Sequence, residues 1–279
     1  MITAAAIALI AFREGLEAAL IVGIVLGYLS KIGQAGRTRF AWAGVLAALA
    51  VSVALAVGIQ VVGAELAGRA EQIFEGTTMF LAVGVLTWMI FWMRYQARVI
   101  KSSLEREVDA AVNTGQNWGL AALAFVAVFR EGVETALFLS AAAFANDGFG
   151  TLLGSIVGLA AAALVGYLIY ASTVRLNLRL FFGVTSALLL IFAAGLLAHG
   201  IHEFQEAALI PTLNEHIWNT NSILDEKSPL GEVLRAVVGY NGKPSLEEVI
   251  AYWAYWLVAV FGVRWWVDRR VARLATATP

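Results

Sequence analysis

The sequence predicts an all-α polytopic membrane protein. It reads as seven transmembrane helices, an inverted 3+3 repeat plus a C-terminal helix, with the N-terminus outside and the C-terminus cytoplasmic. Three observations predict this. The 279 residues are 60% hydrophobic and only 14% charged, with a mean hydropathy of +0.78. A soluble domain is about 45–50% apolar and about 25% charged. Seven apolar runs reach the length of about 20 residues that a helix needs to cross a bilayer. Finally, the stretch Arg13-Glu14-Gly15-Leu16-Glu17 returns as Arg130-Glu131-Gly132-Val133-Glu134, each time inside such a run.

The runs fall at 4–29, 41–63, 76–93, 118–144, 151–173, 180–200 and 249–267. They are unbroken rather than alternating, so helices and not barrel strands are expected. The first has almost no basic flank before its apolar stretch and runs into charged residues, so it reads as a retained span and not a cleaved leader. Basic residues set the orientation. Lys31, Arg37 and Arg39 follow span one; Arg94, Arg98, Lys101 and Arg106 follow span three; Arg175 and Arg179 follow span five. Arg264, Arg269, Arg270 and Arg273 close the chain, which puts 13 of the 19 basic residues on one side. The positive-inside rule makes that side cytoplasmic. Only Arg69, Lys227, Arg235 and Lys243 fall on the other side, among acids that include Glu65, Asp147, Glu215, Asp225, Glu226, Glu232, Glu247 and Glu248. An acidic outer face raises the local concentration of cations. Trp42, Trp118, Trp253, Trp265 and Trp266 near span ends read as interfacial anchors.

The repeat divides the chain. Residues 1–93 form repeat one with spans one to three, and 94–200 form repeat two with spans four to six and the cytoplasmic loop before them. Residues 201–248 make an external loop carrying acids and histidines, and 249–279 the last span with a basic cytoplasmic tail. Beyond the motif, Gly44 onward resembles Gly154 onward, and Phe74 to Thr78 resembles Phe181 to Thr185. Three spans per repeat make the second copy enter from the opposite side, an architecture of secondary transporters with the substrate site near the midplane.

A charged side chain at mid-bilayer costs roughly 2.5–3.5 kcal/mol on the insertion scale, so six of them need a reason. Glu14 and Glu17 are i and i+3 and share a helix face, as do Glu131 and Glu134. Arg13 and Glu17 are i and i+4 and close enough to pair, as are Arg130 and Glu134. Gly15 and Gly132 permit close helix approach. Four carboxylates and two guanidiniums sum to a formal −2, which suits a multivalent cation, with Arg13 and Arg130 balancing charge and orienting the acids. Oxygen ligands suit hard ions such as ferric iron, Mg, Ca or Mn, whereas copper(I) prefers Cys or Met. The chain has no cysteine, and Met79, Met89 and Met93 read as packing.

Outside the spans, His199, His202, Glu203 and Glu206 share one face if span six continues as a helix, and such His/Glu mixtures bind iron, zinc or manganese. They are candidates for an outer metal-receiving site. Glu71 and Glu75, at i and i+4 before span three, are candidates for an external collar.

With these residues the chain resembles the oxidase-dependent iron permeases, the fungal high-affinity iron permease and its bacterial Efe-type relatives. The likeness covers essentially the whole chain and rests on the R-E-G-x-E motif in spans one and four. It implies uptake of iron, Fe2+ or Fe3+, across the cytoplasmic (inner) membrane by a multi-pass protein. It also implies external partners that oxidise and deliver iron, with Glu14, Glu17, Glu131 and Glu134 as the translocation-site ligands. Iron is substrate here, no cofactor is implied, and no nucleic acid.

Other readings compete. One is a permease or proton exchanger for another divalent metal such as Mn or Pb. Another is an intramembrane di-iron carboxylate enzyme, but such sites combine glutamates with Glu-x-x-His pairs, and here the pattern is Glu-x-x-Glu. A receptor or scaffold leaves duplicated buried acids without a purpose. No G-x-x-x-x-G-K-[ST] loop is present, which argues against ATP hydrolysis.

Overall fold

A computed structural model describes residues 3–96, 100–115, 117–145, 148–171, 178–226 and 228–275. Arg98, Asp147, Arg175, Lys227 and the tail 276–279 lie outside the described residues. Among the described residues the chain is helical with no strand. The long helices are α1 (Thr3–Lys31), α2 (Thr38–Glu65), α3 (Arg69–Gln96), α5 (Asn117–Ala145), α6 (Gly148–Ala171), α7 (Leu178–Glu206) and α9 (Leu246–Ala275). They coincide with the expected apolar runs and extend past them at both ends, except that α6 ends at Ala171, within the run 151–173. At 1.5 Å per residue, their 24 to 30 residues reach about 36–45 Å. Four stretches among the described residues, Ala35–Glu65, Arg69–Ile90, Phe149–Leu168 and Gly183–Glu206, are long and apolar enough to cross a membrane. α1 and α5 are as long, but each carries its three motif charges.

Two helices lie where the sequence predicts only loops. The first is α4 (Ile100–Asn113), in the segment between spans three and four. It is amphipathic: Leu104 and Val108 are buried while Arg106 and Glu107 are exposed. The second is α8 (Pro229–Val238), within the external loop. Ser228 caps it by accepting from the Gly231 amide at 3.1 Å, and Pro229 occupies the first turn. Gly239, at φ +69°, ends it in the left-handed region, where its amide bonds Arg235 O and the Tyr240 amide bonds Leu234 O. Both helices are too short or too polar for a search tuned to membrane spans.

The chain forms two compact units, neither continuous in sequence: Met1–Ala67 with Met93–Ser186, and Gly68–Trp92 with Ala187–Pro279. In the first, α1 packs along α6, α2 along α5, and α1 also meets α5. Glycines make these approaches close. A Cβ on Gly158 of α6 would stand 2.3 Å from Ala8 O of α1, and one on Gly44 of α2 would stand 2.1 Å from Ala121 O of α5. Val25, Leu29, Ala41, Val45, Ala48, Val108, Leu120, Ala124 and Val128 close one apolar core below these crossings. α4 is part of it through Val108, and the Tyr28 hydroxyl donates to Asp109 at 2.7 Å. Outward, α2 and α6 expose Leu46, Val53, Leu152, Ile156 and Leu164. Large apolar side chains exposed along both helices suit lipid and not water.

In the second unit, Phe80 of α3 stacks on Phe204 of α7 at 5.1 Å, and the Thr87 and Tyr255 hydroxyls link α3 to α9 at 3.0 Å.

Candidate metal centre

The six motif side chains meet inside the first unit, where α1 and α5 face each other. Gly15 and Gly132 let α1 lie against α6 and α5 against α2. A Cβ on Gly15 would stand 2.8 Å from the Ala162 Cβ on α6, and one on Gly132 would stand 1.9 Å from the Ser52 Oγ on α2. Ser52 and Ala162 went unnoticed in the sequence. Their signal was the weak likeness of the segments that begin at Gly44 and Gly154, in which they hold equivalent positions.

All four glutamates are buried. Carboxylate oxygens of Glu14, Glu131 and Glu134 lie within 4.8 Å of one another. The two arginines differ. Arg13 is wholly enclosed and forms ion pairs with Glu14 and, at 2.8 Å, with Glu17. The Arg130 side chain is 39% exposed; its Nε donates to Glu134 at 3.0 Å and lies 4.0 Å from Glu131. One oxygen of each glutamate, Oε2 of Glu14, Glu131 and Glu134 and Oε1 of Glu17, is buried without a hydrogen-bond partner among the described residues, although Glu17 Oε1 has the Arg13 ion pair. A buried polar atom left unpaired costs about 1–3 kcal/mol, and more for a charged group. Carboxylates this close together could hold a hard cation, which would satisfy several such oxygens at once.

The outer candidates fall in the second unit. His202 sits between two carboxylates: Nδ1 is 3.1 Å from Glu248 and Nε2 is 3.3 Å from Glu206. Glu206 also accepts from Gln72 of α3 at 3.0 Å. His199 faces Arg235 of α8, with Nε2 2.9 Å from a guanidinium nitrogen, so that lone pair is already engaged. Glu203 lies against α3, its Cβ 3.2 Å from where a Cβ on Gly76 would be. Glu71 and Glu75 belong to the same unit, close enough to Glu203 and Glu206 for mutual repulsion.

Glu248 is a participant that sequence reasoning counted only among the outer acids. It is buried, and its second oxygen accepts from Asn241 at 2.7 Å. Ser245-Leu246-Glu247-Glu248 has the form of a capping box, and Ser245 Oγ does accept from the Glu248 amide at 3.3 Å. The Glu248 carboxylate, however, reaches His202 and Asn241. Burial alone would raise its pKa, yet the His202 and Asn241 hydrogen bonds hold it below the ordinary carboxylate value.

The model of the Iron permease FTR1 family matches residues 4–271. The chain belongs to this family. It is 39% identical over 254 residues to the ferrous iron permease EfeU of Escherichia coli O6:H1 (strain CFT073), a match covering 90% of this chain and 92% of that relative. EfeU of Yersinia pestis is likewise 39% identical, over 90% of each chain. No solved structure matches. Membership of this family makes the chain a membrane transporter and not an enzyme.

Proposed function

We propose that this chain imports iron across the cytoplasmic membrane through a midplane site built from Glu14, Glu17, Glu131 and Glu134. The observation that carries the proposal is that Glu14, Glu131 and Glu134, all buried, each bring a carboxylate oxygen within 4.8 Å of the others. The relatives named ferrous iron permeases support iron as the cargo. Arg13 and Arg130 offset part of the negative charge when the site holds no ion, so the acids need not all be protonated to be buried.

The seven long helices are taken as seven spans in an inverted 3+3 repeat plus one, with the N-terminus outside and the C-terminus inside. The paired contacts of Gly15 with Ala162 and of Gly132 with Ser52 support the repeat. His202, Glu203, Glu206, Glu71 and Glu75 gather the ion on the outer side, fed by an iron-oxidising partner. His199 stands beside them, held by Arg235. Rearrangement of one repeat against the other opens the site inward, and the close packing of α1 on α6 and of α2 on α5 makes those two pairs the units that move across the carboxylates.

Radiolabelled iron uptake into liposomes holding the purified chain tests the proposal, run beside Glu14→Gln/Glu131→Gln. Uptake that resists excess Mg, Ca and Mn and disappears in the variant supports an iron permease working through these acids. Iron uptake unchanged in the variant would sink the site, and preference for Mn over iron would favour a permease for another divalent metal.

A further inference from the structure

We infer that Glu17 serves the site from one step away, as a positioning residue acting through Arg13, and that the ion's carboxylate contacts come from Glu14, Glu131 and Glu134. The inference rests on the permease reading and divides labour within its site. By motif position Glu17 is the counterpart of Glu134, and the sequence treats the two copies as equal. The structure treats them differently. Glu134 contributes to the group of oxygens within 4.8 Å of one another, and that group does not include Glu17. Glu17 turns to Arg13 Nη2 at 2.8 Å, while the Nη1 edge of the same guanidinium pairs with Glu14.

The arginines explain the asymmetry. Arg13 is fully enclosed, so no water is at hand to replace a carboxylate that leaves it. Glu17 therefore stays with Arg13 when an ion arrives. The Arg130 side chain is 39% exposed, so its guanidinium has room to swing off Glu134. Held from its far edge by Glu17, Arg13 presents its near edge to Glu14 Oε1. That fixes the Glu14 carboxylate with Oε2 directed away from the pair, in the manner of a residue that orients a ligand from behind. Arg13 and Glu17 then form a neutral brace. The ion meets three carboxylates and the removable Arg130, a local formal charge of −2.

Equilibrium binding of radiolabelled Fe(II) to the purified full chain, under anaerobic conditions in detergent, tests this. Glu17→Gln weakens binding about 10-fold, because Arg13 then leans wholly on Glu14. Because Glu17 acts through Arg13, it adds nothing once Arg13 is gone: Arg13→Gln/Glu17→Gln binds as Arg13→Gln alone. Glu134→Gln weakens binding about 100-fold, in the Arg13→Gln background as well. A double variant Arg13→Gln/Glu17→Gln that binds about 10-fold or more weakly than Arg13→Gln alone would make Glu17 a direct ligand and overturn the inference. If Glu17→Gln alone does not fold, the two double variants, matched in net charge, decide the matter. Arg13→Gln/Glu17→Gln is then expected to bind about an order of magnitude more tightly than Arg13→Gln/Glu134→Gln, and equal loss overturns the inference. Undiminished binding in Glu14→Gln, Glu131→Gln and Glu134→Gln alike would instead remove the site itself, and the inference with it.

Discussion

Gly132 of α5 backs directly onto Ser52 of α2: a Cβ added to it would stand 1.9 Å from the Ser52 hydroxyl oxygen and 2.6 Å from the Ser52 Cβ. The contact sits between the two acids of the second motif, so the helix that presents Glu131 and Glu134 is positioned by a missing side chain. Gly132→Ala is expected to destabilise the protein by about 1–3 kcal/mol through overpacking. Ser52→Gly removes both clashing atoms and leaves only the Ser52 Cα, 4.0 Å away. The double variant Gly132→Ala/Ser52→Gly is therefore expected to regain most of the loss, read as the midpoint of thermal unfolding in detergent. A double variant no more stable than Gly132→Ala would mean that the crowding lies elsewhere.

The two arginines are expected to differ in what their removal does. Arg13 is enclosed with Glu14 and Glu17, and breaking a buried pair from one side costs about 3–5 kcal/mol. Arg13→Gln should thus lower the unfolding midpoint well below that of Arg130→Gln, whose side chain is in part exposed. Equal shifts for the two variants would contradict the difference in enclosure.

α4 is held to the end of α1 by the Tyr28 hydroxyl on Asp109, at 2.7 Å, and by Val108 in the apolar core. Tyr28→Phe removes the hydrogen bond and keeps the ring, a loss of about 0.5–1.5 kcal/mol. Amide hydrogen exchange in residues 100–113 is expected to quicken, while the core of α5 stays protected. No change in α4 exchange would show that Val108 and Leu104 alone dock it.

Glu248 supplies a pH dependence whose sign is fixed. Its carboxyl lies below the ordinary value of about 4.5 in the folded chain, because the hydrogen bonds from His202 and Asn241 outweigh burial. Its stabilising contribution is therefore complete above about pH 4.5 and is lost as pH falls through the lower folded value. Glu248→Gln is expected to be less stable than the parent at pH 6, with the difference shrinking toward pH 3. A gap that widens on acidification would reverse the assignment.

Much of this protein was determined by the sequence alone. Apolar runs of span length fix where the long helices lie, because a backbone in lipid has to satisfy its own hydrogen bonds. The duplicated R-E-G-x-E motif singles out Glu14, Glu17, Glu131 and Glu134, because charges in such runs are too costly to be incidental. Helical spacing also predicts the Arg13–Glu17 and Arg130–Glu134 pairs, which form at 2.8 and 3.0 Å. Only the tertiary structure decided the rest. Two copies of one R-E-G-x-E pattern read alike in sequence, yet one arginine is sealed and the other is in part exposed, since enclosure depends on neighbours that the motif does not contain. The pairing of α1 with α6 and of α2 with α5 sets Gly15 against Ala162 and Gly132 against Ser52, residues far along the chain from the glycines they meet. Glu248 turns from its own helix cap to His202 because the fold brings the imidazole, 46 positions earlier in the chain, within 3.1 Å. Local pattern sets which residues are helical and which are charged; long-range packing sets which of those charges stand free to hold an ion.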